Sequence, residues 1–200
     1  MMNRRMEHLT GIDYESVWHN LSQQVTTTCE STSETSRISI VKQEGWAAVP
    51  LNKSGMVGVK NDVIDSLVDY TFNSASKAFY VLWIRPVTGE EIAYKGAVDS
   101  SFIRSVNSIV EITICDFALF PDTVDWIYLA GVEGVDVLIG SQDFFKQVLQ
   151  KDIESAFTTF ERTKNESLFV DSDSLLHSLK EYNNAEPGTT ALIGGRFIGA

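Results

Sequence analysis

Runs of apolar and alternating positions predict β-strands in the middle of the chain. Residues 78–84 form a continuous apolar run that ends at Arg85, which is typical of a strand covered on both faces. Residues 126–130 and 135–139 are two further strand candidates, and the glycines in the short connection between them suit a tight hairpin. These segments predict a sheet whose neighbouring strands are mainly antiparallel.

Further strands are predicted on both sides of this region. Residues 37–42 and 45–49 predict a hairpin, and residues 90–95 are expected to return antiparallel to the continuous apolar run. In residues 110–115, apolar side chains alternate with polar or smaller ones, which predicts a strand with one buried face. Residues 191–200 fit either a final edge strand or a loosely ordered tail.

Other segments have apolar residues at helical spacing. Those that follow Asp13, Asn61 and Ser141 each begin with a residue that can cap a helix. The segment after Ser141 has its apolar residues on two faces that are rotated relative to each other, so we expect a kink or break near Asp152. The predicted helices cover residues 13–25, 61–70, 100–106, 141–160 and 173–182.

These elements predict one α+β domain, with a mainly antiparallel sheet of about five to seven strands packed against three to four helices. The chain has 200 residues, which is enough for a domain that needs no disulfide or metal to be stable. Residues 26–36 contain eight Ser or Thr residues, a composition typical of a loop. We therefore expect residues 1–36 to form an N-terminal helix with a Ser/Thr-rich linker, and residues 37–200 to form the domain.

The net charge of the chain indicates which classes of binding partner to expect. Asp and Glu number 27 against 16 Lys and Arg, which gives a net charge of −11, and no basic patch offsets it. Such a chain repels phosphate backbones, so direct nucleic-acid binding is not expected. Seven of the acids lie between Arg104 and Lys146, where the chain has no Lys or Arg at all. The alternative is that the charge serves solubility alone.

The lengths of the apolar runs also indicate the cellular location of the protein. None approaches the roughly 18 residues of a membrane-spanning helix. The first residues carry polar and charged side chains where a secretory signal has its apolar core. The chain has two cysteines, Cys29 and Cys115, which are too few for a disulfide framework and lack the spacing of a CxxC motif. We therefore expect a cytoplasmic protein with no membrane partner.

Patterns that carry catalysis or bind cofactors are weak in this chain. The three histidines, His8, His19 and His177, stand in no recognisable catalytic motif. The glycine-rich segments lack the lysine of a phosphate-binding loop, and the cysteines lack the spacing of a zinc site. The acids of residues 122–136 offer oxygen ligands for Mg²⁺ or Ca²⁺, but their spacing matches no EF-hand loop, and solvated acids are the favoured interpretation. No cofactor or metal is expected.

The remaining candidate site is the hairpin of residues 126–139, where acids stand beside aromatic residues. Specific protein interfaces use aromatic side chains as anchors and surrounding charges to steer the partner. The alternative is that the two aromatic residues, which share one face of their strand, belong to the core. The candidate partner-binding residues are Asp122, Asp125, Trp126, Tyr128, Glu133 and Asp136.

The leading functional hypothesis is a non-enzymatic intracellular protein that binds a basic protein. An example is an immunity or antitoxin-type inhibitor whose acids occupy the positively charged cleft of a nuclease-like toxin. Two alternatives remain open. The first is a structural or adaptor subunit of a larger assembly, and the second is an enzyme with a site built from carboxylates. The sequence does not predict the oligomeric state.

Overall fold

A computed structural model describes residues 6–9, 12–22, 25–28, 37–51, 58–83, 93–113, 117–132, 135–163 and 172–193. The strands are β1 (Glu7–Leu9), β2 (Val25–Thr28), β3 (Arg37–Val41), β4 (Trp46–Leu51), β5 (Ala78–Trp83), β6 (Ala93–Ala97), β7 (Phe117–Pro121), β8 (Trp126–Val132), β9 (Val135–Ser141) and β10 (Thr190–Ile193). The helices are α1 (Ile12–Ser22), α2 (Asn61–Asn73), α3 (Ser100–Thr113), α4 (Gln142–Val148), α5 (Ile153–Thr163) and α6 (Ser172–Asn184). The protein is therefore a single α+β domain, as predicted, with six helices in the described residues instead of three to four.

The main sheet has seven strands in the order β1-β6-β5-β7-β8-β9-β4, and each neighbouring pair is antiparallel. The predicted hairpin is confirmed, since Tyr128 in β8 stands opposite Leu138 in β9, with an irregularity in the register between Leu129 and Val132. The predicted pairing of β5 with the strand that follows it, β6, is also confirmed. The side chains of β8 alternate between the two sheet faces, and residues 126–130 are buried on both.

A second sheet of three strands, in the order β10-β3-β2, was not predicted. The predicted hairpin of residues 37–42 and 45–49 is wrong, because β3 pairs with β2 and β10 while β4 lies at the edge of the main sheet, beside β9. The backbone of Lys42 pairs instead with Gly188 and Thr189, each at 2.8 Å. Pairing of β3 with the end of the chain thus takes the place of local pairing across the turn.

The predicted strand at residues 110–115 is also wrong, because residues 110–113 belong to α3, which ends at residue 113. Helix α3 begins after Asp99, whose carboxylate accepts a hydrogen bond of 2.9 Å from the Phe102 N–H. Phe102, Ile103 and Val106 are buried at helical spacing. A helix anchored in this way extends through the alternating residues, because packing overrides a local strand preference. The remaining positions, 114–116, lie outside the described residues.

The predicted break near Asp152 is confirmed, and it separates α4 from α5. Ser141 caps α4, since its hydroxyl oxygen accepts a hydrogen bond of 3.2 Å from the Phe144 N–H. Asp152 accepts a hydrogen bond of 2.7 Å from the Ser155 N–H at the start of α5. Gln150 lies between the two helices with a φ of 53°, in the left-handed region. The turn therefore separates α4 from α5 at a fixed point in the sequence.

The N-terminal residues contribute strands to both sheets. β1 pairs with β6 in the main sheet, and β2 pairs with β3 in the small sheet. Helix α1 ends at Ser22, three residues before the predicted end, and β2 occupies the start of the segment predicted as a linker. Residues 29–36, which include Cys29, lie outside the described residues.

The free edge of β4 is covered by α6. The side-chain amide of Asn183 donates to the Ala48 carbonyl at 3.0 Å and accepts from the Ala48 N–H at 2.7 Å. Lys42 also donates to the Asn183 carbonyl, at 3.3 Å, and its ammonium lies 4.8 Å from the centre of the Tyr182 ring. These contacts satisfy edge groups of β4 that would otherwise be open to pairing with another strand.

Candidate functional site

Three of the six predicted partner-binding residues lie in the core. Trp126 and Tyr128 have no exposed surface, and Asp136 is 1% exposed. The Trp126 ring stacks on Phe144 at 5.7 Å, and its N–H donates to the hydroxyl of Thr71 at 3.1 Å. The aromatic residues of the hairpin are therefore core residues, as the alternative interpretation had it, and a partner at the surface does not reach them.

Asp136 belongs to a buried network that joins the hairpin to α2. The Tyr128 hydroxyl donates a hydrogen bond of 2.7 Å to Asp136 and accepts one of 3.2 Å from the Lys60 N–H. Burial raises the pKa of Tyr128 well above its ordinary value, and the neighbouring charge of Asp136 raises it further. The Tyr128 hydroxyl therefore stays protonated, and Asp136 has a structural role that the sequence did not reveal.

The other predicted residues lie at the turn between β7 and β8 or outside the described part. Asp122 is exposed, and its two carboxylate oxygens accept hydrogen bonds from the Lys77 N–H at 3.1 and 3.3 Å. Asp125 is half-buried and accepts a hydrogen bond of 3.0 Å from the Thr123 hydroxyl. Glu133 lies outside the described residues. Of the six predicted residues, Asp122 and Asp125 are therefore the two that the structure describes at the surface.

A row of exposed residues on α2 extends this surface. Asp62, Asp65, Asp69 and Phe72 are all exposed and follow one another at spacings of three or four, so they lie on one face of the helix. Phe72 is 75% exposed and is the exposed large apolar residue of the described part of the chain. The sequence prediction missed it, because the helix was expected to end at residue 70.

The end of α2 lies beside the β7–β8 turn. The hydroxyls of Ser76 and Thr123 are 2.5 Å apart and connect the two segments. Burial raises the pKa of Tyr70 on α2, and the charges of Asp125 and Asp143 raise it too, against a hydrogen bond with Ser141. Asp125 follows Thr123 by two residues. Asp143 precedes Phe144, whose ring lies 4.9 Å from that of Tyr70. Both acids therefore belong to segments that contact the C-terminal part of α2 or the residues just after it. We define the acidic surface as Asp62, Asp65, Asp69, Phe72, Asp122, Asp125 and Asp143.

Basic residues neutralise this surface only in part. Arg104 lies 3.4 Å from Asp65, and Lys146 lies 3.7 Å from Asp143, with both pairs exposed to solvent. Exposed ion pairs are weak, at about 0–1 kcal/mol, so a partner can replace them at little cost. The acidic surface therefore combines six carboxylates with one exposed aromatic ring.

A polar cleft lies at the other end of α2. It has a volume of about 310 Å³ and is bounded by the first turn of α2, the end of β4, the α4–α5 connection and α5. Its polar side chains are Lys60, Asp62, Ser66, Gln150, Lys151 and Thr159. Burial lowers the pKa of the Lys60 ammonium, and Lys151 lowers it as well, whereas Asp136 and Asp62 act in the opposite direction.

The described residues offer little for metal or histidine chemistry. No group of three or more His, Cys, Asp or Glu side chains among them is placed to hold a metal ion. His177 is exposed and lies 3.3 Å from Glu181 one helical turn away. In the described part of the chain, no helix combines the length and the apolar character that a membrane crossing requires.

Comparison with known proteins identifies no relative of this chain. No protein-family model matches it, and no curated protein or solved structure is similar to it. The acidic surface and the polar cleft are therefore the features from which a function can be inferred.

Proposed function

We propose that this chain is a non-enzymatic binding protein that recognises a basic protein through the acidic surface. We favour an inhibitor of a nuclease-like toxin, because such a toxin needs a positively charged cleft to hold phosphates and carboxylates can occupy that cleft. The observation that carries the proposal is the exposed ring of Phe72 in a row with Asp65 and Asp69.

Phe72 supplies the apolar part of the interaction. It is 75% exposed, so most of its apolar surface is available for burial against a partner. Burying a phenylalanine side chain is worth about 1.5–3 kcal/mol. Aromatic residues inside a polar rim are typical of the residues that dominate interface energies.

The carboxylates supply long-range attraction and charge selectivity. Asp69 and Asp122 form no ion pair with another described residue, so their charges are available. The Asp122 carboxylate is held by the Lys77 N–H, which limits the entropy that it loses on binding. Charges at such a surface raise the association rate of a basic partner and repel acidic ones.

The test compares variants that change the net charge equally. The first variant neutralises the acidic surface with Asp69→Asn, Asp122→Asn and Asp125→Asn. The control neutralises three exposed acids of α5, α6 and the segment after α6 with Glu154→Gln, Glu181→Gln and Glu186→Gln. A third variant, Phe72→Ser, removes the exposed ring alone. The proteins that the original protein retains from an extract of the source cells are identified. The purified partner is then titrated against the original protein and each of the three variants.

We expect a basic partner that binds the original protein and the control variant with about equal affinity. The surface variant and Phe72→Ser should each weaken binding about tenfold or more, which is the loss of one interface anchor. A short RNA should compete for the partner, because both ligands occupy its phosphate-binding cleft. Equal weakening in the control would mean that net charge alone acts. A partner insensitive to Phe72→Ser and to the surface variant would refute the proposal.

A further inference from the structure

The polar cleft is built from two parts of the sequence that are far apart: the end of β4 with the start of α2, and the α4–α5 connection with α5. Lys60 stands at the start of α2, Lys151 in the connection between α4 and α5, and Thr159 on α5. The Lys60 N–H is fixed by its hydrogen bond to Tyr128, and the Lys60 carbonyl accepts from the Val63 and Ile64 N–H groups. The position of Lys60 at the cleft is therefore set by the core.

Two lysines line this cleft, Lys60 and Lys151. Neither ammonium lies within ion-pairing distance of a carboxylate of a described residue. Burial of Lys60 disfavours its charged form and lowers its pKa; the charges of Asp136 and Asp62 favour that form, whereas the charge of Lys151 disfavours it. An anion between the two ammonium groups would offset both unfavourable effects.

The first turn of α2 adds to the positive character of the cleft. The N-cap residue Lys60 provides no side-chain cap for this turn, and the helix has 13 residues. The N-terminal end of a helix attracts negative charge. Asp62, which lines the cleft and stands in this turn, meets part of that attraction and would repel an anionic ligand.

We propose that the polar cleft binds a small molecule that bears a phosphate group, held by Lys60 and Lys151. A phosphate monoester carries close to two negative charges at neutral pH, which matches two ammonium groups better than a single carboxylate does. The volume of about 310 Å³ suits a small ligand, at the lower end of the range for ligand sites. Ser66 and Gln150 offer hydrogen bonds to the rest of such a molecule.

The test is an NMR titration of the full chain with glycerol phosphate at pH 7.5, with sodium chloride used to keep the ionic strength constant. Glycerol alone serves as the uncharged control ligand. Four variants are compared: Lys151→Met, Lys60→Met, Asp62→Asn and Lys146→Met. Lys151 is exposed, so its variant is expected to fold even if Lys60→Met does not. Lys146 is an exposed lysine of α4 that does not line the cleft, and it controls for the loss of one positive charge.

The proposal expects saturable shifts of the backbone amides of Lys60, Gln150 and Thr159 with glycerol phosphate and none with glycerol. Lys151→Met should weaken binding about tenfold, which is the loss of one charge-assisted contact, and Lys146→Met should not change it. Asp62→Asn should strengthen binding of glycerol phosphate several-fold, an effect that misfolding cannot imitate. Absence of saturable shifts in the cleft, equal weakening by Lys146→Met, or weaker binding of glycerol phosphate by Asp62→Asn would each overturn the proposal.

Discussion

Removal of the Tyr128 hydroxyl tests whether the buried network holds α2 to the hairpin. The variant Tyr128→Phe keeps the aromatic ring in its place in the core and deletes a single oxygen atom. That atom makes two hydrogen bonds, a donation to Asp136 at 2.7 Å and an acceptance from the Lys60 N–H at 3.2 Å. Asp136 is 1% exposed, so water does not readily replace the lost donor.

The expected cost follows from these two bonds. A hydrogen bond to a charged group contributes about 1.5–3 kcal/mol, and a bond between neutral groups contributes about 0.5–1.5 kcal/mol. The Lys60 N–H is only partly buried and can be hydrated, which places its bond at the lower end. Together they predict a loss of about 2–4 kcal/mol in the free energy of unfolding. For a chain of 200 residues this loss corresponds to a fall in Tm of roughly 4–16 °C.

Urea unfolding followed by circular dichroism measures this loss. Tyr80→Phe is a matched control, because Tyr80 is half-buried and its hydroxyl forms no hydrogen bond with a described residue. The control should change the free energy of unfolding by no more than about 0.5 kcal/mol. If Tyr128→Phe changes it as little as the control does, the bond between Tyr128 and Asp136 does not stabilise the fold, and the reasoning above is refuted.

Two further predictions concern α6. Asn183→Ala removes both hydrogen bonds to the edge of β4 at Ala48, so we expect a loss of about 1–3 kcal/mol in urea unfolding, whereas Asn184→Ala, at an exposed neighbour, should have almost no effect. Burial raises the pKa of Tyr182 to about 12, whereas a tyrosine in the unfolded chain titrates near 10. The stability that the neutral form of Tyr182 contributes is therefore complete below about pH 10 and is lost as the pH rises towards 12. Tyr182→Phe should therefore lose stability less steeply over that interval, and equal slopes would contradict the prediction.

The sequence predicted best where one local pattern dominates. The β8–β9 hairpin was recognised because alternation and a glycine-containing connection agree, and the cap at Ser141 and the break near Asp152 lie where they were expected. Residues 110–113 show the opposite case. Their alternation is compatible with a strand, but the buried Phe102 and Ile103 start a helix that continues through them.

The candidate surfaces were harder to predict, because their residues meet only in the folded chain. Phe72 was missed because the helix pattern was ended at residue 70, although continuing it by three residues places Phe72 in line with Asp69. Lys60 and Lys151 come from segments far apart in the sequence, and no spacing connects them. The burial of Asp136 depends on a tyrosine across the hairpin, so its charge looked available in the sequence.

The acidic surface and the polar cleft both border α2 but carry opposite charges, so their responses to salt should differ. In the proposed function, steering of the partner would depend on carboxylates spread along α2 and the β7–β8 turn, which would interact with the partner through solvent. Such attraction is screened over about 8 Å at physiological salt. A phosphate group in the cleft would instead contact Lys60 and Lys151 directly. Because Lys60 is half-buried, salt should screen this contact less than it screens the acidic surface. Because Asp62 belongs to both regions, the variants at Asp69 and Asp122 are the ones that change the acidic surface and leave the cleft intact.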